Sequence, residues 1–181
     1  HRCVAVILLA LSVAPLPEAV AKDRPNILFI YTDDQSYRTV SCYPEAYKFA
    51  STPNIDALAR QGLNFTTAYA ANATCSPSRA ALMTGCQPLR VAEVGNIKNV
   101  HPELHDQEIT IAEILKTKGY ATACFGKWDL ARHSQRKFNP KLMPNHQGFD
   151  YFFGTPTSND GFVDLYRNEK RVEEKADMNL L

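Results

Sequence analysis

Cys75-Ser76-Pro77-Ser78-Arg79-Ala80-Ala81-Leu82-Met83-Thr84-Gly85 sets a thiol, a helix start and a cation within one short segment. Pro77 suits the first position of a helix, where its missing N–H leaves nothing unsatisfied. Ala80, Ala81, Leu82 and Met83 favour helix, and Gly85 is a natural stop. The pattern predicts a helix opening at Pro77 with Cys75 just ahead of it, where backbone N–H groups and the helix dipole favour an anion. Arg79 follows Cys75 by four residues, about one helical turn, so its guanidinium can lean back toward that anion. Two readings stand on these residues alone. Either the segment is a site for a charged tetrahedral group, or Cys75 is a buried structural cysteine or half of a disulfide.

The flanking chain supplies the fold class. Residues 63–69 alternate and predict a strand leading to the Cys75 loop. Ahead of them, Thr52 can cap a helix that Pro53 opens and Gly62 closes, with Ile55, Leu58 and Ala59 on one face for packing. Residues 108–120 predict a further helix. Thr110 and Glu113 have capping-box spacing, Ile111, Ile114 and Leu115 form its apolar stripe, and Gly119 ends it. Residues 121–125 then read as a strand, followed by Gly126-Lys127-Trp128-Asp129-Leu130. Strand, helix, strand alternation of this kind argues an α/β fold with a mainly parallel sheet. Lys127 at the strand's end is either an oxyanion ligand acting as a compact point charge or an ordinary surface lysine.

Residues 26–32 contain Ile27-Leu28-Phe29-Ile30-Tyr31, a continuous β-favouring run that predicts a strand buried on both faces. It ends at Asp33-Asp34. A carboxylate pair at the C-terminal end of a buried strand sits where open α/β sheets place ligands, and it offers hard oxygens to Ca²⁺ or Mg²⁺. A solvated turn is the other reading of the same pair. Near the C-terminus, Phe149, Tyr151, Phe152 and Phe153 read as core rather than substrate platform, and residues 165–174 as a small hairpin.

Composition bounds the function. The 181 residues suit one domain of ordinary size, and 45% hydrophobic residues can build a core. Twenty basic and 19 acidic side chains leave a formal net charge of +1, which points away from nucleic acid and anionic membrane as partners. No repeat or low-complexity tract is present. Arg2, the apolar run from Cys3 to Ala14 and Ala19-Val20-Ala21 predict a secretory signal peptide over residues 1–21, too short to span a bilayer stably. Export follows: to the periplasm, the outside of the cell or, in a eukaryote, the lysosome. The ends at His1 and Leu181 read as those of a piece of a longer reading frame. Of the five cysteines, Cys42, Cys86 and Cys124 remain once Cys3 and Cys75 are set aside, and these cannot all pair with one another. Asn64-Phe65-Thr66 and Asn72-Ala73-Thr74 are glycosylation sequons.

Cys75, Pro77, Ser78, Arg79, Thr84 and Gly85 fill every fixed position of a pattern that resembles the sulfatase signature, Cys-x-Pro-Ser-Arg-x-x-x-x-Thr-Gly. The Asp33-Asp34 pair after the first apolar run, and the stretch from Asn145 through Gly154 to Pro156, Ser158, Asn159 and Asp160, resemble arylsulfatases in order and context. The resemblance implies an alkaline-phosphatase-like mixed sheet flanked by helices, of which residues 22–181 form the N-terminal part. It implies that a formylglycine-generating or equivalent enzyme oxidises Cys75 to formylglycine. It implies that the hydrated aldehyde attacks a sulfate ester, with sulfate expelled as the aldehyde reforms. Cys75 as formylglycine, with Asp33 and Asp34, would then hold calcium (magnesium being second choice), Arg79 would support the nucleophile and Lys127 would bind sulfate. The substrate so implied is a sulfated small molecule or sulfated glycan.

The chain departs from the resemblance once. Gly126-Lys127-Trp128-Asp129-Leu130 carries Asp129 where the family pattern Gly-Lys-Trp-His-Leu has a histidine that helps regenerate the aldehyde by proton transfer. His133, four residues on, is either a substitute or a surface histidine. Calcium takes six or more oxygens, so the 181 residues made alone are expected to bind metal weakly and not to turn over. A phosphoesterase or phosphonate hydrolase of the same superfamily, and a non-catalytic sulfoglycan-binding relative, are the alternatives.

Overall fold

A computed structural model describes residues 24–91, 104–105, 107–131, 137–159 and 161–177. The expected signal peptide, His133 and Asp160 lie outside the described residues. The chain falls into two units, residues 1–35 and 36–181.

In the larger unit, helix α1 (Pro53–Gln61) is followed by α2 (Cys75–Thr84), the short α3 (Pro88–Val91) and α4 (Ile111–Thr117). Strands β1 (Ala123–Lys127), β2 (Tyr151–Thr155), β3 (Phe162–Arg167) and β4 (Lys170–Asp177) form one sheet in that order. The capping box foreseen at Thr110 is complete. Its hydroxyl accepts the Glu113 N–H at 3.2 Å, and the Glu113 carboxylate accepts the Thr110 N–H at 2.7 Å. The same hydroxyl donates to the Gln147 carbonyl at 2.8 Å, so the cap also pins α4 to the chain entering β2. Two helix-terminal donors are thereby satisfied without water.

β1 and β2 pair in parallel, with Gly126 opposite Gly154 and Lys127 opposite Thr155. β2, β3 and β4 pair antiparallel, and the β3–β4 hairpin turns at Asn168, which holds a left-handed φ of 52°. The expected hairpin forms, and the sheet is mixed, as the family resemblance implied, rather than mainly parallel, as the strand–helix–strand alternation alone suggested. Asn168 serves β2 as well. Its N–H reaches the Phe152 carbonyl at 2.7 Å, and its side-chain oxygen accepts the Phe152 N–H at 2.9 Å. The core gathers Ala80 of α2, Val91, Leu104, Trp128, Leu130, Met143 and Phe152, with Phe149 and Cys124 packed against it. Phe152 is a core residue and Phe149 packs half-buried against the core, as expected, whereas Tyr151 and Phe153 are half-buried outside that cluster.

Several expectations are corrected. Residues 26–32, in the smaller unit, form no strand, and Leu28 is 85% exposed. Residues 63–69 form none either, and Leu63, Phe65 and Tyr69 are exposed. Both runs have strand-like composition, but a strand exists only when a neighbouring backbone takes its N–H and C=O groups, and no described strand pairs with them. The faces foreseen for packing on α1 and α4 are also open: Ile55, Leu58, Ile111 and Ile114 are exposed, and α4 buries Ala112 instead. Gly62 ends α1 through its N–H to the Leu58 carbonyl, without a left-handed φ.

Candidate active site

The helix that carries the signature residues starts earlier than the proline indicated. Cys75 is its first residue and Thr74, in extended conformation, its N-cap. The cap is set up by Asn72, whose side-chain oxygen accepts the Thr74 N–H at 2.9 Å and hydroxyl at 2.7 Å. That turn commits the carboxamide of the second sequon to its own backbone. At the far end Gly85 adopts φ 67° and bonds the Ala81 carbonyl, while the Thr84 hydroxyl donates to the Ala80 carbonyl at 2.8 Å. The Thr-Gly pair is therefore a helix stop, and its part in the site is to fix the length of α2.

Hydrogen bonds from Ser76 and Arg79 join α2 to the chain at the end of β1. The Ser76 hydroxyl donates to Asp129 Oδ2 at 3.0 Å, both residues being buried. Arg79 Nη1 donates to the Lys127 carbonyl at 2.5 Å. Lys127 Nζ stands 3.7 Å from the same Asp129 Oδ2, with 6% and 0% of the two side chains exposed. Trp128 locks the backbone between them. Its N–H continues the sheet pairing to the Thr155 carbonyl at 2.9 Å, and its indole N–H reaches the Leu142 carbonyl at 2.8 Å. Asp129 itself sits at φ 61°, a left-handed conformation that aspartate tolerates better than most residues.

The structure thus brings Cys75, Arg79, Lys127 and Asp129 to one place, and adds Ser76. Ser76 was not foreseen because it fills a variable position of the signature; its hydroxyl, one residue from the thiol, was the available signal. Asp33 and Asp34 belong to the smaller unit, where both are exposed and Asp34 holds φ 53°. Two adjacent carboxylates suit calcium in kind but not in number. Among the described residues no group of three or more His, Cys, Asp or Glu side chains gathers to hold a metal ion.

Cys42, Cys75, Cys86 and Cys124 are all thiols. Burial pushes the Cys124 thiol up to about 11, against the pull of the Arg79 guanidinium. A thiol raised in the folded state favours folding fully below its unfolded value, and that contribution is lost as pH rises through the folded value. Stability is therefore expected to decline between roughly pH 9 and pH 11. At pH 8 the native protein should leave Cys124 unalkylated by iodoacetamide while denatured protein is labelled, as peptide mass spectrometry reads directly. Rapid native labelling of Cys124 would contradict its packing against the core.

The sulfatase family model matches residues 25–180, and the chain belongs to the sulfatase family. It is 40% identical to human arylsulfatase A over 144 residues, covering 78% of this chain and 27% of that protein. It is 42% identical to an N-acetylgalactosamine-6-O-sulfatase of Bacteroides thetaiotaomicron over 142 residues, covering 76% and 27%. A solved structure from the metabolism of multiple glycosaminoglycans by Bacteroides thetaiotaomicron superposes with TM-score 0.67 at 38% identity, covering 82% of this chain and 32% of that one. Another, in complex with its substrate D-glucosamine-2-N,6-O-disulfate, superposes with TM-score 0.65 at 28% identity, covering 86% and 28%. The fold is the alkaline-phosphatase-like α/β fold of the sulfatases. The chain spans about a quarter to a third of the length of these relatives. Among the described residues no helix is long and apolar enough to cross a membrane.

Proposed function

We propose that the full-length protein hydrolyses sulfate esters, using formylglycine made from Cys75 and a calcium ion, with a sulfated sugar or glycan as substrate. The observation that supports this most is the joining of the two motifs: Ser76 to Asp129 and Arg79 to the Lys127 carbonyl. Those bonds set the residue to be modified, a guanidinium and an ammonium around the same helix start, where an oxyanion is favoured. Relatives whose structures contain sulfated saccharides support the substrate class. So does the N-acetylgalactosamine-6-O-sulfatase relative.

Each side chain has work that its setting permits. Lys127 attracts a sulfate oxygen as a point charge. Arg79, held by the Lys127 carbonyl, keeps helix and strand end in register while its guanidinium adds positive charge beside Cys75. Asp129 takes the histidine's place as the proton-accepting group, already receiving the Ser76 proton in a hydrogen bond. Formylglycine, once made, would supply as its hydrate one hydroxyl that displaces the ester alcohol from sulfur and a second whose proton loss expels sulfate as the aldehyde reforms. Asp33 and Asp34 would hold calcium with ligands from elsewhere in the protein, and the ion so held would supply positive charge for activating a hydroxyl. Export through the N-terminal signal, and recognition of the signature by a formylglycine-generating or equivalent enzyme, complete the proposal.

The test is mass spectrometry of the tryptic peptide spanning residues 61–79, from the full-length protein in its native host. The expected result is a residue 75 that has lost sulfur and carries an aldehyde oxygen. An intact thiol in every copy would sink the proposal.

A further inference from the structure

The cation assigned to the substrate already has a fixed anion on it. Lys127 and Asp129 both lie at the end of β1, their charged atoms 3.7 Å apart and their side chains 6% and 0% exposed. The carboxylate is held from the other side by the Ser76 hydroxyl at 3.0 Å, on the residue next to Cys75. It therefore cannot swing away without breaking a buried hydrogen bond, and that bond ties it to the first turn of α2, which would cradle the reacting group.

We propose that Asp129 is a charge selector: it neutralises Lys127 in advance, so that the site accepts singly charged esters and disfavours doubly charged ones. This rests on the reading of Lys127 as the anion's partner and adds a specificity determinant to it. Shape cannot separate a sulfate ester from a phosphate monoester, since both present a tetrahedral XO₃ group on an ester oxygen. Charge can: the sulfate ester carries one negative charge and the phosphate monoester two in alkaline solution. The second charge meets a buried, immobile carboxylate with little water to screen it. For unit charges about 7 Å apart at an effective dielectric near 20, the repulsion alone amounts to roughly fiftyfold in binding, which the Lys127 ammonium offsets in part, leaving about tenfold. A histidine in this place would exert no such repulsion. The substitution thus adds a filter on ligand charge to the proton-accepting role, and Ser76 is the residue that holds the filter in position.

The experiment uses the full-length protein from its native host and calorimetric dissociation constants at pH 8, which do not depend on turnover. Phenyl methyl phosphate carries a fixed single charge, and phenyl phosphate carries two at that pH. The unmutated protein is expected to bind the monoanion at least about tenfold more tightly, and Asp129→Asn to shrink that preference by a similar factor. Asparagine keeps the shape and can still accept the Ser76 hydrogen bond, so the change reads charge. A preference of the unmutated protein for the dianion overturns the proposal, even if the variant fails to fold. So does an Asp129→Asn variant that folds and keeps the original ratio. Lys127→Ala separates the layers. If it leaves monoanion binding unchanged, Lys127 is not the anion's partner and both readings fall; if it weakens binding while Asp129→Asn leaves the ratio intact, only charge selection falls.

Discussion

Cys75→Ala in the full-length protein is expected to lower turnover of an aryl sulfate by a factor on the order of 10³ or more while leaving the fold in place. The contrast follows from where the residue sits. Cys75 is the first residue of α2, capped by Thr74 and only partly buried, and alanine is the strongest helix former. The Ser76 and Arg79 bonds that tie α2 to the end of β1 do not pass through its side chain. Stability should therefore move by about 1 kcal/mol or less, while the chemical step loses the only atom that modification could turn into a nucleophile. Turnover and thermal melting, measured on the same preparation, check both halves. Turnover that stays within about tenfold of the unmutated protein would show that residue 75 is not the reacting centre.

Gly154→Ala is expected to do the opposite, destroying the fold with no direct effect on any reacting group. Gly154 faces Gly126 across the parallel β1–β2 pair. A Cβ at Gly154 would overlap the Gly126 carbonyl oxygen and lie 2.6 Å from its carbonyl carbon, and backbone cannot step aside as a flexible side chain can. The strands must separate just where Lys127 follows and where the Trp128 N–H pairs with Thr155. A loss above about 4 kcal/mol is expected, seen as absence of soluble folded protein or a large fall in melting temperature. Gly126→Ala is the control. Its Cβ meets nothing within 4 Å, so only its left-handed φ of 92° is strained, at a cost of about 1–2 kcal/mol. Equal behaviour of the two variants would refute the close-approach argument.

The parts of this fold that could be read in the sequence are those whose causes are local. Thr110 and Glu113 complete their box from residues three apart, Gly85 takes the left-handed φ that stops α2, and Asn168 turns the hairpin. What could not be read depends on partners distant in sequence. The Ile27–Tyr31 run has the composition of a buried strand, yet burial and pairing belong to a neighbour that composition does not name. The exposed Ile111 and Ile114 make the same point for a helix face. The site divides likewise: the Cys75–Arg79 and Gly126–Trp128 segments were legible as motifs, whereas the Ser76–Asp129 bond spans 53 residues and has no local signature.

The left-handed backbone at residue 129 bears on how the histidine of the family pattern could have been exchanged. A φ of 61° excludes β-branched and most bulky residues, but aspartate, asparagine and histidine are the types most enriched there. The main chain therefore acts as a sieve on inheritance. A histidine codon becomes an aspartate codon by one base change, and the product passes the sieve without any repair elsewhere in the strand. Descent can thus alter the chemistry at this position in a single step, along a route that the geometry of β1's end leaves open to few other replacements.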